Sequence, residues 1–306
     1  MIFNRIKGLK SYCIISISLL GLLAVSSISS AQTIRVGSKD FTEQIILSEL
    51  TAQYLEEKGF KVELERGLAS DGGLRQVILD GAIDICWEYT GTAYLNYLEK
   101  KYKGEKGSVV YERVKKIDAD KGLVWLKNSE ANDTYALAMN AQLADEKGIR
   151  TLEDMARYQN ENGGLTLASD PTWLGRDDGL GPFEKVYGFK FDPKDIKRIE
   201  IGLVYNEAGK KKVDVGLVYS TDGRIVAQNL RVLQDTKNFF PPYELAPVIR
   251  QDVLQKYPEL EGYLNELSEV LDTETITQLN SRVDVDKVFI WEVAEDFLIS
   301  KGMLQL

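Results

Sequence analysis

Residues 33 to 59, TIRVGSKDFTEQIILSELTAQYLEEKG, contain the pattern that decides the fold. The segment begins with mostly β-branched residues, which predict a strand from Thr33 to Val36, and Gly37 to Asp40 then predict a loop. Apolar residues follow at helical spacing, at Ile45, Ile46, Leu50, Tyr54 and Leu55. Asp40 with Glu43 three residues later predicts a capping box, and Gly59 predicts the end of the helix.

The same order of elements repeats immediately downstream. Lys61 to Leu64 predicts a strand, Ser70 to Gly73 a turn and helix cap, and Leu74 to Leu79 a helix. Ile83 to Cys86 predicts a third strand, and a helix is expected from about Thr92 to Leu98. Alternating strands and helices of this length predict an α/β fold with a parallel or mixed sheet covered on both faces. Ligands of such sheets bind at the carboxyl ends of strands.

A second α/β block is expected in the middle of the chain. Leu165 to Ala168 and Val213 to Tyr219 predict strands, and Pro182 to Tyr187 predicts a helix with proline in its first turn. Beyond Leu245 the apolar spacing predicts mainly helices.

No flexible linker enters or leaves this middle block, which indicates one domain inserted into another. We expect residues 32–136 and 242–306 to form the first lobe and residues 137–241 to form the second. Two crossover strands would then act as a double hinge, and closure of the cleft over a ligand is the expected motion.

The first 31 residues predict a secretory signal peptide. Arg5, Lys7 and Lys10 precede an apolar run from Cys13 to Val25, and small residues follow up to Ala31. Cleavage after Ala31 would leave a soluble periplasmic protein, whereas retention of the leader would leave a membrane anchor.

Composition excludes several classes of function. The formal net charge of −9 becomes about −12 without the leader (35 basic and 47 acidic residues), which argues against nucleic acid or anionic lipid as a partner. The chain has no histidine, so Ser-His-Asp and Cys-His catalysis and the usual zinc sites are excluded. No phosphate-binding glycine motif occurs, and no cofactor or metal is expected. Cys86 would be the single thiol after cleavage, and a buried, inert thiol is expected there.

Tyrosine is the residue type that attracts attention, because several of the 15 tyrosines lie in loop-like segments. Tyr89, Tyr135, Tyr219 and Tyr243 all stand beside Gly, Pro, Ser, Thr or Asp. Taken alone, each of them is better explained by packing than by ligand binding.

Four segments resemble one family. They are GSKDFTEQ (37–44), DGAIDICWEYTGTA (80–93), YSTDGRI (219–225) and FFPPYELAPVIR (239–250). Their sequences and order are similar to those of the glycine betaine/carnitine/choline-binding components of ABC transporters, the ProX/OpuCC/OsmF-like group. The resemblance implies a type II periplasmic-binding-protein fold, no enzymatic activity, and a monomer that delivers its ligand to a membrane permease. It also implies an aromatic cage of Tyr89, Tyr135, Tyr219 and Tyr243, with Lys39, Thr92 and Arg176 as polar ligand contacts.

A tyrosine cage suits a quaternary ammonium group for a physical reason. Such a cation has no N–H to donate, so the negative faces of aromatic rings hold it better than a carboxylate does. A betaine also carries a carboxylate, with which Lys39 and Arg176 can pair and to which Thr92 can donate. Since Thr92 is neutral, we expect zwitterions to bind more tightly than choline.

Three other interpretations are compatible with the residues alone. The chain could bind another small cation, such as a polyamine or an amino acid, whose N–H donors require carboxylates; Glu88 and Asp133 lie close in sequence to the tyrosines. An exported hydrolase without histidine and a structural or sensory envelope domain are the others. Turnover of a candidate substrate would support the hydrolase, and ligand-dependent thermal stabilisation would separate a receptor from a structural or sensory domain.

Overall fold

The computed structural model describes residues 33–68, 71–175 and 179–305. The predicted signal peptide, residues 1–31, lies outside the described residues and stays a prediction. Within the three described ranges, none of the helices combines the length and apolarity that a bilayer span requires. The described chain forms two five-stranded mixed sheets.

The first sheet has the strand order β2-β1-β3-β10-β4. Its strands are β1 (Ile34–Gly37), β2 (Val62–Glu65), β3 (Ile85–Tyr89), β4 (Leu123–Trp125) and β10 (Leu245–Arg250). Strands β2 and β3 pair with β1 in parallel, whereas β10 is antiparallel to both β3 and β4. The strand β10 therefore returns the end of the chain to the sheet that the beginning of the chain built.

Helices cover both faces of the first sheet. They are α1 (Thr42–Glu57), α2 (Asp71–Leu79), α3 (Thr90–Thr92), α4 (Gly107–Ala119), α11 (Gln251–Lys256), α12 (Glu259–Glu269), α13 (Thr273–Asp284) and α14 (Ile290–Ser300), with a π-helical turn at Ala93–Tyr97. Alternate residues of β3 enter different cores, since Ile85, Trp87 and Tyr89 pack on one face and Cys86 on the other. Cys86 is buried as predicted, and burial raises the pKa of its thiol.

The second sheet has the order β7-β6-β8-β5-β9. Its strands are β5 (Tyr135–Asn140), β6 (Leu167–Ser169), β7 (Ile196–Arg198), β8 (Val215–Tyr219) and β9 (Leu230–Val232). Its helices are α5 (Ala141–Lys147), α6 (Leu152–Asn162), α7 (Pro171–Gly175), α8 (Leu180–Tyr187), α9 (Ile201–Gly209) and α10 (Arg224–Ala227), with a 3₁₀ turn at Pro193–Asp195. The alternation of strands and helices predicted for this block is confirmed.

One local prediction is wrong, and one strand was not predicted. The helix α1 has Phe41 at its N-cap with no side-chain cap, so Asp40 and Glu43 do not form a capping box. The mainly helical character expected beyond Leu245 is confirmed, but the strand β10 precedes these helices and was not predicted. Pro247 obscures this strand, because proline cannot donate to a sheet and is unusual between two other strands. Here its carbonyl accepts from the amide of Leu126, and the sheet tolerates the missing donor.

The chain crosses between the sheets twice, first between β4 and β5 (residues 126–134) and again between β9 and β10 (residues 233–244). These two crossings are hydrogen-bonded to one another. The amide of Asp133 donates to the carbonyl of Tyr243 (3.1 Å), and the amide of Tyr243 donates to Asn132 Oδ1 (2.7 Å). Thr134 Oγ1 also donates to the carbonyl of Pro241 (2.8 Å). The lobe limits expected at residues 136/137 and 241/242 stay a prediction, and the strand β5 of the second sheet begins at Tyr135.

Close to the crossings, the loop after β8 packs tightly on α13. Asn280 Nδ2 donates to the carbonyl of Thr221 (2.8 Å). A Cβ atom on Gly223 would lie 2.4 Å from the backbone nitrogen of Ser281. Only glycine permits this approach, because both partners at the contact are backbone.

We expect Gly223→Ala to lower the free energy of unfolding by about 1 to 3 kcal/mol, since the added methyl group forces two backbones apart. Gly262→Ala is the matched control. Nothing lies within 4 Å of a Cβ at Gly262, and alanine is the better helix former by up to about 1 kcal/mol. Urea unfolding of both variants measures the difference. Equal stabilities would show that the loop and α13 can separate at little cost.

Candidate ligand site between the two sheets

A cavity of about 1280 Å³ opens between the two sheets. Six of the seven predicted site residues line it: Lys39, Tyr89, Thr92, Tyr135, Tyr219 and Tyr243. The seventh, Arg176, lies outside the described residues. Both sheets contribute to the lining, so a molecule in this cavity would touch both lobes.

Tyr89 is the most deeply placed of the four tyrosines. It is the last residue of β3 and is only 3% exposed. Its hydroxyl donates to Glu43 Oε1 (2.6 Å), its ring stacks near Phe41 with centroids 6.4 Å apart, and Lys39 Nζ lies 5.0 Å from its centroid. The orientation of this ring is therefore fixed from three sides.

Tyr135 and Tyr219 form a second aromatic unit. They are direct neighbours in the antiparallel register of β5 and β8, so their side chains leave the same face of the sheet. The ring centroids are 5.0 Å apart with an interplanar angle of 30°, and the two hydroxyl groups are 3.4 Å apart. Tyr219 is 37% exposed, which leaves much of its ring open to the cavity.

Tyr243 reaches the cavity from the second crossing and packs on Gly91. A Cβ at Gly91 would lie 2.7 Å from the Tyr243 ring, so position 91 must be glycine for this ring to fit. The amide of Thr90 donates to the carbonyl of Glu244 (2.9 Å), which ties the turn to the crossing. Thr92 follows in α3 and is nearly buried at the cavity wall.

Lys39 forms a buried ion pair. Its Nζ lies 2.7 Å from Glu88 Oε1, and both side chains are less than 5% exposed. The amide of Tyr89 also donates to Glu88 Oε1 (2.9 Å), and the hydroxyl of Tyr97 donates to Oε2 (3.0 Å). The positive charge of Lys39 is thus already balanced, and an anionic ligand group would share it with Glu88.

Four acidic residues line the cavity, and two of them, Glu43 and Asp133, have shifted pKa values. Glu43 is buried and accepts from Tyr89 and from Asn280 Nδ2 (2.9 Å). Burial raises the pKa of Glu43, against the hydrogen bonds from Thr221, Tyr89 and Asn280. Burial also raises the pKa of Asp133 well above its usual range, and the charge of Glu43 raises it further. Within the described residues, Asp133 Oδ1 has no hydrogen-bond partner.

The exposed part of the cavity lining is mainly basic. Its lining includes the side chains of Lys100, Lys101, Lys103 and Lys237. The deep end, with Glu43 and Asp133, is acidic and aromatic, whereas the outer end carries these four lysines beside one exposed acid, Asp284. A cavity with this polarity is suited to a molecule that is cationic at one end and anionic at the other.

Sequence reasoning missed Glu43, Phe41 and Asn280 as lining residues. The sequence pattern assigned Glu43 to a helix cap, so no long-range contact was expected for it. Phe41 and Asn280 are 239 positions apart, and no spacing rule connects them. Asp133 was noticed only for its closeness to Tyr135.

The fold and the cavity between two α/β lobes define a class, the two-lobed substrate-binding proteins. The chain belongs to the family described as the substrate-binding domain of ABC-type glycine betaine transport systems, whose model matches residues 32–300. The sequence-based assignment to this family and the type II fold are both confirmed. Proteins of this family bind small ligands and work with a membrane permease.

The similarity to known proteins extends over nearly the whole chain. The glycine-betaine-binding protein of Pseudomonas aeruginosa is 41% identical over 98% of this chain and 96% of its own length. The carnitine transport binding protein OpuCC of Listeria monocytogenes is 32% identical over 88% of this chain and 87% of its own. Apo YehZ from Escherichia coli has a TM-score of 0.84 at 31% identity, covering 90% of this chain and all of that structure.

We expect Glu43→Gln to stabilise the ligand-free protein increasingly as the pH rises. Burial raises the folded-state pKa of Glu43 above its unfolded value, so the stability present below about pH 4.5 is lost as the pH rises through the folded pKa. Glutamine does not ionise and escapes that loss. Urea unfolding of both proteins, refolded without ligand, between about pH 4 and 8 measures it. A difference that stays constant or shrinks with pH would contradict the assignment of a costly buried charge.

Proposed function

We propose that this chain captures glycine betaine or a related quaternary-ammonium osmolyte, such as carnitine, choline or proline betaine, in a tyrosine cage and delivers it to the permease of an ABC transporter. One observation carries the proposal: Tyr89, Tyr135, Tyr219 and Tyr243, which come from both sheets and a crossing, line a single cavity. The names of the similar glycine-betaine-binding and carnitine-transport proteins support the same ligand class.

The free energies involved favour a site that combines aromatic rings with polar contacts to the ligand. A methylated ammonium group against an aromatic face gains about 0.5 to 2 kcal/mol, so four rings supply roughly 2 to 8 kcal/mol before costs. Micromolar affinity requires about 8 kcal/mol net, after the loss of translational and rotational freedom on binding. The cage alone therefore falls short, and polar contacts must supply the remainder.

The polarity of the cavity supports a zwitterion as the ligand. The ammonium group of the ligand would lie among the tyrosines near Glu43. The carboxylate of the ligand would be directed towards Thr92 and the exposed lysines. Lys39 would take part through its pair with Glu88, and Arg176 would add a bidentate contact. The ranking of zwitterions above choline stays part of this proposal.

Closure would connect capture to transport. A ligand that contacts both sheets favours the closed arrangement of the lobes, and a permease can distinguish closed from open. We infer that the protein is exported to the periplasm by cleavage of residues 1–31, acts as a monomer and has no enzymatic activity. The similar binding proteins and the absence of histidine from the sequence support this.

A second ligand class has one observation in its favour. Glu43 and Asp133 place carboxylates among the rings, and Asp133 Oδ1 is an unused acceptor within the described residues. Such acceptors suit a ligand with N–H donors, for instance a polyamine. A thermal-shift panel of betaines, choline, putrescine and amino acids separates the two classes, because a bound ligand raises the melting temperature.

We expect Tyr219→Ala to weaken binding of glycine betaine by about 10-fold or more while leaving the melting temperature of the empty protein nearly unchanged. The variant removes one ring of the cage and the stacking partner of Tyr135, yet Tyr219 is partly exposed and contributes little to the core. Isothermal titration calorimetry at constant salt measures the affinity.

Tyr219→Phe is the matched control, since it keeps the ring and removes only a hydroxyl whose contact is with Tyr135 at 3.4 Å. Its affinity should stay within about threefold of the wild type. Near-normal affinity in Tyr219→Ala would remove the cage from the proposal.

A further inference from the structure

We propose that Glu43 is a specificity-determining residue, whose negative charge, held in place by the hydroxyl of Tyr89, makes the cage select cations over neutral molecules of the same shape. The inference rests on the proposed function, because it concerns the ligand of the same cavity. Neither the predicted cage nor the predicted polar contacts include Glu43.

The position of Glu43 is unusual for an acid in the first turn of a helix. Such residues ordinarily interact with free amide groups at the helix start, but the N-cap of α1 has no side-chain cap. The carboxylate instead accepts from Tyr89 and Asn280 and is only 4% exposed. An acid that is buried without a cationic partner among the described residues costs free energy, and Glu43 is nevertheless at the wall of the cavity.

Among the described residues, the surroundings of Glu43 are short of positive charge. Asp133 and Asp222 act on it from the first crossing and from the loop after β8, and both are acidic. Lys39 lies against the Tyr89 ring but pairs with Glu88. A cation in the cavity would therefore be the missing counter-charge of this acidic group.

Tyr89 places that charge behind an aromatic face. A phenol that donates to a carboxylate is polarised towards its ring, which strengthens the attraction of the ring for a cation. The carboxylate also attracts the cation directly across a partly dehydrated site, where charges interact far more strongly than in water. Both effects act on the charge of the ligand and neither acts on its shape.

Asn280 extends the arrangement to the second lobe. Its Nδ2 donates both to Glu43 Oε2 and to the carbonyl of Thr221 in the loop after β8. Movement of that loop during closure would therefore change a hydrogen bond of Glu43.

The experiment compares choline with 3,3-dimethylbutan-1-ol, its neutral isostere with carbon in place of nitrogen. The ratio of the two dissociation constants reports charge selectivity, because a distorted cage weakens both ligands alike. We expect Glu43→Gln to lower the preference for choline by about 10-fold or more at about pH 8. Glu49→Gln is the control: this acid lies on the same helix, bonds to Arg66 and does not line the cavity. It should leave the ratio within about twofold.

A ratio that is unchanged in Glu43→Gln while the wild type binds choline would overturn the inference and leave the proposed function standing. No binding of any quaternary ammonium compound by the wild type would instead overturn the proposed function, and the inference with it. The two failures are thus distinguishable in one set of titrations.

Tyr89→Phe tests the role of the hydroxyl. If Tyr89 holds the charge of Glu43 in place, Glu43→Gln should change the ratio less in the Tyr89→Phe background than in the wild type. Equal effects in both backgrounds would show that Glu43 acts without Tyr89 and would overturn that part of the inference.

Discussion

The hydrogen bonds between the two crossings are the constraint on which the rest of the structure depends. The backbone of Asp133 donates to that of Tyr243, and the Asn132 side chain accepts from Tyr243 in return. Each sheet has its own hydrophobic core, and this pairing, together with the packing of the loop after β8 on α13, holds the carboxyl end of β3 opposite the β5–β8 pair. The cavity, and the ability of one ligand to touch both sheets, follow from two short segments that run side by side.

The fold was largely readable from the sequence, because strand and helix periodicities are local. The alternation from Thr33 onwards and its return in the middle of the chain are both present in the structure. The failures have local causes too. Pro247 disguised a central strand, since its missing donor is normally a reason to reject one. The apparent capping box of Asp40 and Glu43 satisfied a local rule that the folded chain does not use.

The site was readable only in part. The resemblance to a family pointed to four tyrosines, and the structure brings all four to one cavity. The charges around them depend on contacts that no spacing encodes, such as those of Glu43 with Tyr89 and Asn280, 46 and 237 positions away. Lys39 illustrates the same limit, because its ion pair with Glu88 spans 49 positions. Residue type thus indicated the kind of ligand, whereas the electrostatic environment of the site could be determined only from the folded structure.

The buried thiol of Cys86 has a practical consequence for anyone who wishes to watch the protein move. It is the one cysteine within the described residues, and it lies buried in the first sheet. Because burial also raises the pKa of its thiol, we expect it not to react with alkylating dyes while that lobe is folded. A cysteine introduced at the rim, for instance at Lys101, would then carry a fluorophore alone. One substitution would therefore be enough to convert the protein into a single-dye sensor of cleft closure.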